Sequence, residues 1–306
     1  MYRKTAFAVA ALLLLVGCGS ARTPQAVQFT KTAPADQIAP QSSAAYQPIR
    51  IAAASIVSPQ ETLKSYGKFF IYLGNKVGRP IELVQRKTYE ETYNLLRDGT
   101  LDLAMVCTYV YVHGHDTVGL ELLAAPVVGG RAEYQSLLLV TEASGATSLE
   151  DLRGKRFAFT DPLSASGRIY PLTLLKQQGL DPGTFFSMST YTYSHDNSIK
   201  ALVQGVVDGA AVDSLVYDQW AARNPELARK VKIIARSEAM PSPPIVASSR
   251  LDSSTREAFR QALLTMHQDP EGKLILAEMG IDQFAQLSDA DYEPVRRMAR
   301  LLGMLP

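Results

Sequence analysis

The sequence predicts an α/β fold with two lobes joined by two crossover segments. From residue 49 onward, short apolar strands alternate with amphipathic helices, and the alternation starts afresh after a strand that begins at Tyr134. A proline-rich break at residues 240–244 interrupts this second series, and helices follow it. Alternating strands and helices are typical of parallel sheets, which bind ligands beyond the carboxyl ends of their strands. We therefore expect a cleft between two lobes that can close over a ligand.

The N-terminus predicts an exported protein. A short basic start precedes an apolar run over residues 6–16, and the run ends in a Leu-Val-Gly-Cys sequence at Cys18 that resembles a bacterial lipobox. We expect residues 1–17 to be a lipoprotein signal peptide and Cys18 to carry the lipid; an uncleaved anchor or an ordinary secretory leader are the alternatives. Residues 18–48 are rich in Ala, Ser, Gln and Pro and predict a flexible tether. The domain would then stand in the extracytoplasmic space, anchored to the inner or the outer membrane.

Lobe 1 is predicted over residues 49–138 plus 243–306. Its strands alternate with helices in which apolar residues recur every three or four positions. The predicted strands are 49–54, 81–85, 101–106, 120–127 and 245–248, and the predicted helices are 63–77, 89–98, 252–268, 273–279 and 289–300.

Lobe 2 is predicted over residues 139–242, entered through a long strand that crosses from lobe 1. The same alternation of strands and helices continues here. The predicted strands are 134–140, 156–160, 186–192, 209–213 and 231–237, and the predicted helices are 149–152, 168–178, 196–204 and 214–224.

Composition indicates a globular protein of 306 residues without a dominant charge. Lys and Arg number 31 against 30 Asp and Glu, and 46% of the residues are hydrophobic. This balance excludes bulk attraction to nucleic acid or to acidic membranes. The spacing of Cys18 and Cys107 matches no metal framework and no disulfide scaffold, so we expect Cys107 to be a buried lone thiol. We also expect a monomer without a cofactor.

One turn, Thr-Asp-Pro-Leu-Ser-Ala-Ser-Gly at residues 160–167, predicts an anion site. It joins an apolar strand to a helix, and the first amides of a helix have no acceptor within the helix. These amides, the helix macrodipole and the hydroxyls of Ser164 and Ser166 would together favour an anion. Ser and Gly residues also form ordinary helix caps, so this turn taken alone leaves both interpretations open.

Two other groups of residues could carry chemistry. His113 and His115 would share one face of an extended chain, as metal ligands can, but no third ligand is evident and we expect no metal. Cys107 near these histidines could act as a nucleophile, but no sequence pattern fixes such a geometry. We therefore expect no enzyme activity.

The turn is one of three motifs that resemble the phosphonate, phosphite and phosphate-binding family of ABC importer receptors. The other two are Ser-His-Asp-Asn at residues 194–197 and Val-Asp-Gly-Ala-Ala-Val-Asp at residues 207–213. The resemblance extends over roughly residues 49–300. It implies a periplasmic-binding-protein (venus-flytrap) fold of two α/β lobes, which would capture a small phosphorus oxyanion and deliver it to an ABC permease.

The resemblance also implies the residues that bind the oxyanion. Ser164, Ser166 and the amide of Ala165 match the turn that grips it, and His195 matches a histidine that donates to the same group. Ala165 departs from those members of the family that carry Thr at this position, so here at most the amide of this residue can contribute.

Three further residues belong to the expected site. Tyr89 and Tyr134 match two tyrosines that reach the ligand from lobe 1. Asp213 ends a strand and precedes Ser214, so it could cap the next helix, or it could accept a hydrogen bond from a ligand P–OH group or from a bound water.

A second departure from the family bears on the ligand. Relatives that hold aminoalkylphosphonates place an acid in the second crossover to pair with the amine, and residues 241–244 contain none. We therefore expect phosphite, phosphate or a short alkylphosphonate as the ligand. The alternatives are a sensor subunit for a signalling partner or, on the same scaffold, a periplasmic enzyme.

Overall fold

The computed structural model describes residues 47–305, without the side chains of residues 59 and 61–65. The expected signal peptide at residues 1–17, the lipidation site Cys18 and the tether as far as residue 46 lie outside the described residues. Along the part of the chain that is described, no helix is both long and apolar enough to span a membrane.

The strands and helices follow the predicted alternation. The first lobe contains β1 (Ile49–Ala53), α1 (Pro59–Val77), β2 (Ile81–Leu83), α2 (Tyr89–Arg97), β3 (Leu103–Met105), α3 (Thr108–Val118) and β4 (Glu121–Val127). The chain then passes through β5 (Glu133–Tyr134), β6 (Ser136–Thr141), β7 (Arg156–Phe159), α4 (Tyr170–Gln177), α5 (Pro182–Phe185), β8 (Met188–Tyr191), α6 (His195–Val203), β9 (Gly209–Asp213), α7 (Ser214–Arg223), α8 (Pro225–Ala228) and β10 (Val231–Arg236). It returns through β11 (Met240–Pro241), β12 (Ile245–Ala247), α9 (Ser253–Thr265), α10 (Pro270–Met279), β13 (Gln283–Ala285) and α11 (Glu293–Leu301).

Two sheets form the cores of the two lobes. The sheet of lobe 1 has the strand order β13-β4-β12-β3-β1-β2, and the sheet of lobe 2 has the order β10-β6-β9-β7-β8. Strands β3 and β9 are fully buried because helices cover both faces of each sheet. Their carboxyl ends carry Cys107 and Asp213, so the edge of each sheet that faces the cleft is where a parallel α/β sheet binds its ligand.

The expectation of parallel sheets is right only for three neighbouring strands at one end of each sheet. Strand β1 runs parallel to β2 and β3, and β7 runs parallel to β8 and β9. Strands β6 and β12 instead pair antiparallel with their neighbours. Each of these two strands enters its sheet directly from a crossover segment, and a parallel connection would need an intervening helix to reverse the chain.

The two crossover segments pair with each other. Strand β11 lies antiparallel to β5, with Met240 opposite Tyr134. Strand β6 lies wholly in the sheet of lobe 2, so the first crossover precedes Ser136 instead of lying at residue 138, where the sequence placed the boundary. The sequence predicted one strand over residues 134–140, whereas the chain forms the short β5 and then β6 on either side of Gln135.

Helix α3 was not predicted. We expected an extended chain around His113 and His115, whereas both residues lie within α3. The helix is rich in β-branched and aromatic residues of low helix propensity, and it is buried along most of its length, so it shows no clear amphipathic period. Gly119, in the left-handed conformation at φ 70°, ends it.

Candidate functional site

The turn after β7 forms the floor of the cleft on the side of lobe 2. Residues Ala165–Ile169 make a short π-helical turn that leads into α4, and the hydroxyl oxygen of Ser164 accepts a hydrogen bond from the Gly167 amide at 2.9 Å. A Cβ atom at Gly167 would collide with the side chain of Thr160, so only glycine fits. Ser164 therefore caps this helix, which is one of the two interpretations of the turn that the sequence left open.

The turn also retains the features of an anion site. The amides of Ala165 and Ser166 are the first of the π-helical turn, where no acceptor exists within the helix. The carbonyl of Ser166 accepts a hydrogen bond from the Ser136 hydroxyl at 2.6 Å, which fixes this turn on β6. Ser164, Ala165 and Ser166 are all buried, so an anion held here would be shielded from water.

His195 begins α6, with its ring beside the turn. Its Nδ1 accepts a hydrogen bond from the backbone amide of Asp213 at 3.1 Å and lies 3.0 Å from the hydroxyl of Thr160. Because a backbone amide can only donate, Nδ1 is unprotonated and the neutral ring carries its proton on Nε2. Burial lowers the pKa of His195 to about 3, although the carboxylate of Asp196 opposes the shift. His195 is thus a neutral donor of one hydrogen bond at physiological pH.

Asp213 ends β9 and caps α7. Its Oδ1 accepts hydrogen bonds from the amides of Leu215 at 2.7 Å and Val216 at 3.3 Å, so the capping interpretation is right for this oxygen. Burial raises the pKa of Asp213 to about 7, even though the two amides oppose the shift. Near neutral pH this carboxyl group can either accept or donate a hydrogen bond.

Tyr89 reaches the site from lobe 1. It is the first residue of α2, which begins with a capping box of Thr88 and Glu91. Its side chain is fully buried, and its hydroxyl has no hydrogen-bond partner among the described residues. Burial raises the pKa of Tyr89 well above its ordinary value, and the nearby Cys107, Asp161 and Asp213 add to the rise.

Tyr134 lies at the first crossover, between the lobes. Its hydroxyl is hydrogen-bonded to that of Thr108 at 2.8 Å. Burial raises the pKa of Tyr134 well above its ordinary value and Asp213 adds to the rise, whereas hydrogen bonding by the side chains of Thr108 and Ser166 opposes it. The structure therefore brings the tyrosines of lobe 1 and the crossover close to the turn and to the carboxyl group of lobe 2.

The two lobes are closed on each other around these residues. Backbone and side-chain groups of lobe 1 form hydrogen bonds directly with lobe 2. The hydrogen bonds are Tyr89 N to Asp161 Oδ2 at 3.1 Å, His195 N to Ile56 O at 3.0 Å, Ser58 N to Asp196 Oδ1 at 2.9 Å and Cys107 Sγ to Leu163 O at 3.0 Å.

Two adjoining spaces lie between the lobes, and Asp213 borders the inner one. An inner cavity of about 60 Å³ is bordered by Asp213 and mainly by apolar side chains, among them Ile56, Met105 and Pro243. An outer groove of about 260 Å³ is lined by residues that include Lys200 and Trp220. A small apolar space beside a buried polar cluster suits a compact ligand with one polar and one apolar end.

The chain matches the model of a family described as the periplasmic phosphonate substrate-binding protein of an ABC transporter, over residues 51–292. It belongs to this family.

Individual relatives agree with that assignment. The phosphonates-binding periplasmic protein of Escherichia coli is 24% identical over 251 residues, which cover 80% of this chain and 74% of the relative. The phosphate-import protein of Mycolicibacterium smegmatis is 25% identical over 291 residues, 86% of this chain and 89% of the relative. A Prochlorococcus marinus protein solved with methylphosphonate has a TM-score of 0.76 at 18% identity, covering 84% of this chain and 98% of that one.

Membership of the phosphonate-binding family confirms the two-lobed periplasmic-binding-protein fold. The family implies an extracytoplasmic protein, and its characterised members are substrate-binding components of transporters, not enzymes.

Sequence reasoning missed several residues of the site. Tyr66 on α1 was assigned only to an apolar helix face, yet it lines both the inner cavity and the outer groove. Thr108 and Cys107 were missed because α3 was missed. The thiol of Cys107 is inert, since burial raises its pKa to about 12. The position of these residues directly after β3, at the carboxyl end of an inner strand, was the signal that could have found them.

His113 and His115 lie away from the site, towards the back of α3. The ring of His113 packs between those of Tyr93 and Tyr109. The Nδ1 of His115 lies 3.0 Å from the carbonyl of Leu120. Residues two apart on a helix do not face each other, so the shared face that an extended chain would give them does not exist. Within residues 47–305 no three or more His, Cys, Asp or Glu side chains are grouped to hold a metal ion.

Proposed function

We propose that this protein captures a small phosphorus oxyanion in the cleft and presents it, closed between the lobes, to an ABC permease. The observation that carries the proposal is the hydroxyl of Tyr89, which is buried without a hydrogen-bond partner among the described residues. A buried unsatisfied polar group costs about 1 to 3 kcal/mol, so a native protein retains it where a ligand supplies the partner.

The neighbouring groups suit an oxyanion with several oxygens. The Nε2–H of His195, the hydroxyls of Ser166 and Tyr89 and the first amides of the turn can each donate a hydrogen bond to such a ligand. The helix N-terminus adds partial positive charge. A fixed set of donors in a water-excluded site stabilises an anion without a full positive charge nearby.

Asp213 would select for a protonated oxygen. Its carboxyl group faces the same space, and a bare dianion there would be repelled by an ionised carboxylate. A ligand that bears P–OH can donate to this group, whereas sulfate has no proton to offer at neutral pH. We expect phosphite, methylphosphonate and phosphate to bind much more tightly than sulfate.

A ligand with an amine should bind less tightly than a compact one. The second crossover presents Pro241, Ser242, Pro243 and Pro244, and it offers no carboxylate. An ammonium group placed beside the mainly apolar lining of the inner cavity would lose its hydration without gaining that partner. We therefore expect 2-aminoethylphosphonate to rank below methylphosphonate.

The relatives support the ligand class but differ within it. One is named for phosphonates, one for phosphate import, and one was solved with methylphosphonate. The test is calorimetry of the protein with phosphite, methylphosphonate, phosphate, 2-aminoethylphosphonate and sulfate. Tightest binding of 2-aminoethylphosphonate would overturn the argument from the crossover, and no binding of any phosphorus anion would overturn the ligand class.

We further propose a lipid anchor at Cys18, a signal peptide at residues 1–17, a tether at residues 18–48 and a monomeric state. The lipobox-like sequence supports the anchor, and a tether would let the receptor meet both the permease and the surrounding space. Cys18→Ala should release the protein from the membrane fraction or leave it unprocessed. A processed variant that still fractionates with the membrane would contradict the anchor.

A further inference from the structure

The inner cavity and the outer groove share a wall that both lobes build. Five residues line both spaces: Val57, Tyr66, Val216, Gln219 and Met279. The wall contains α1 and α10 of lobe 1 and α7 of lobe 2. The side-chain amide of Gln219 donates to the Met279 carbonyl at 3.2 Å and joins the two lobes there. The wall is therefore complete only when the lobes are closed.

Tyr66 is the largest side chain in this wall. Its ring stacks on that of Phe70, with centroids 6.1 Å apart, and meets the edge of Phe69 at 6.4 Å. These contacts hold the ring on one face of α1. Its hydroxyl lies near Asp213, at the polar end of the inner cavity.

We propose that Tyr66 sets the upper size limit of the ligand's substituent by closing the inner cavity off from the outer groove. The inference rests on the proposed function, because it assigns the inner cavity to the group attached to phosphorus. With the P–OH on Asp213, that group enters a space of about 60 Å³ bordered mainly by apolar side chains.

The volume sets the size that fits. A space of this measure holds only a few water-sized groups at roughly 10 to 15 Å³ each. Hydrogen, methyl and ethyl fit it, and a longer chain must push against the Tyr66 ring. If the ring were absent, the substituent could continue into the outer groove of about 260 Å³, which opens towards the ion pair of Lys200 and Asp196.

The test is calorimetry with methyl-, ethyl-, butyl- and hexylphosphonate. For the wild-type protein we expect affinity to fall about tenfold or more between ethyl and butyl, the effect of overfilling a packed space. We call this fall in affinity the step. In Tyr66→Ala the step should disappear, so that butylphosphonate binds within about threefold of ethylphosphonate. Met279→Ala opens the same wall from the other lobe-1 helix and should also reduce the step.

Two control variants separate the wall from its surroundings. Tyr66→Phe keeps the ring and should keep the step. Trp220 lines the outer groove but not the inner cavity, so Trp220→Ala should leave both the step and methylphosphonate affinity unchanged.

The outcomes distinguish this inference from the proposed function. A step that persists in both Tyr66→Ala and Met279→Ala, or wild-type protein that binds hexylphosphonate as tightly as methylphosphonate, overturns the role of Tyr66 while leaving the anion site in place. Wild-type protein that binds none of the phosphonates overturns the proposed function and this inference with it.

Discussion

Two polar clusters of this protein, one around Arg296 and one in the cleft, differ in how completely their members are paired. Behind α3, Arg296 is only 5% exposed and bonds to Asp116 at 2.8 Å and to Asp289 at 2.7 Å. Tyr111 donates to the same Asp289 oxygen at 2.9 Å. In the cleft, by contrast, the hydroxyl of Tyr89 has no hydrogen-bond partner, and buried Asp213 has no cation beside it, among the residues that the structure describes.

The pKa values of the two clusters differ accordingly. Although burial opposes it, hydrogen bonds from Arg296 and Tyr111 hold the pKa of Asp289 below its ordinary value. Burial dominates at Asp213 and His195, so the pKa values of both shift towards the neutral form. A cluster that satisfies its own members stabilises the fold, whereas a cluster left incomplete is suited to a ligand.

Removing the centre of the paired cluster should give the largest effect. Arg296→Met leaves two carboxylates without their cation, and we expect the free energy of unfolding to fall by about 3 kcal/mol, the lower end for a broken buried pair, because the carboxylates are partly exposed. Urea unfolding measures the loss. Oxyanion affinity should not change.

Arg300 provides the matched control on the same helix. Its side chain is half exposed and pairs with Glu293, so Arg300→Met should change the free energy of unfolding by less than about 1 kcal/mol. Equal losses of unfolding free energy in Arg296→Met and Arg300→Met would show that the Arg296 cluster stabilises the fold no more than a surface ion pair does.

The two serines of the turn should respond differently. Ser166→Ala should weaken oxyanion binding by about 1 to 3 kcal/mol, the range for a hydrogen bond to a buried charged group, with little change in stability. Ser164→Ala also removes the cap on the Gly167 amide, so it should lower the free energy of unfolding by about 1 kcal/mol. Calorimetry and urea unfolding separate the two effects. Unchanged oxyanion affinity in the variant that carries both substitutions would show that the turn serves only as a helix cap.

The pH dependence of stability should reveal the two neutral groups of the cleft. The folded pKa of His195, about 3, lies below its ordinary 6.5, so His195 makes stability rise with pH between those values. The folded pKa of Asp213, about 7, lies above its ordinary 3.8, so Asp213 makes stability fall as pH rises between those values. The two contributions oppose each other where the windows overlap.

Single variants should separate the contributions of His195 and Asp213 to the pH dependence of stability. As pH rises through the overlap, the unfolding free energy of His195→Asn should fall relative to that of the wild-type protein, by about 1.4 kcal/mol per pH unit. That of Asp213→Asn should rise relative to the wild-type protein by about the same amount per pH unit. Urea unfolding at pH values from about 4.5 to about 6, near the middle of the overlap, measures both pH dependences. Profiles parallel to the wild-type one would mean that these groups are not held neutral.

Local sequence predicted the parts of the site that depend on local chemistry. The turn at residues 160–167 was recognisable because its hydroxyls and glycine lie between a strand and a helix, and the family resemblance supplied Tyr89, Tyr134 and His195 as candidates. The direction of β6 and β12 was not predictable from residue pattern, because it depends on which strands become neighbours after the crossover.

Tyr66 could not be assigned either. On α1 it shares the three-to-four spacing of the apolar face with Phe69 and Phe70, and nothing local distinguishes a tyrosine that lines a cleft from one that packs in a core. The role proposed for it depends on α7 of lobe 2, which shares the wall with α1 only when the lobes are closed. Thr108 was missed for a related reason, since tertiary burial overrides the low helix propensity of α3.

The most direct test of the incomplete cluster is Tyr89→Phe, measured by methylphosphonate calorimetry and by unfolding without ligand. If the ligand supplies the missing partner, affinity falls by about tenfold or more, while the free energy of unfolding stays constant or rises because an unsatisfied hydroxyl has been removed. A variant that binds methylphosphonate as tightly as the wild-type protein and is less stable would contradict the account, because the hydroxyl would then serve the fold and not the ligand.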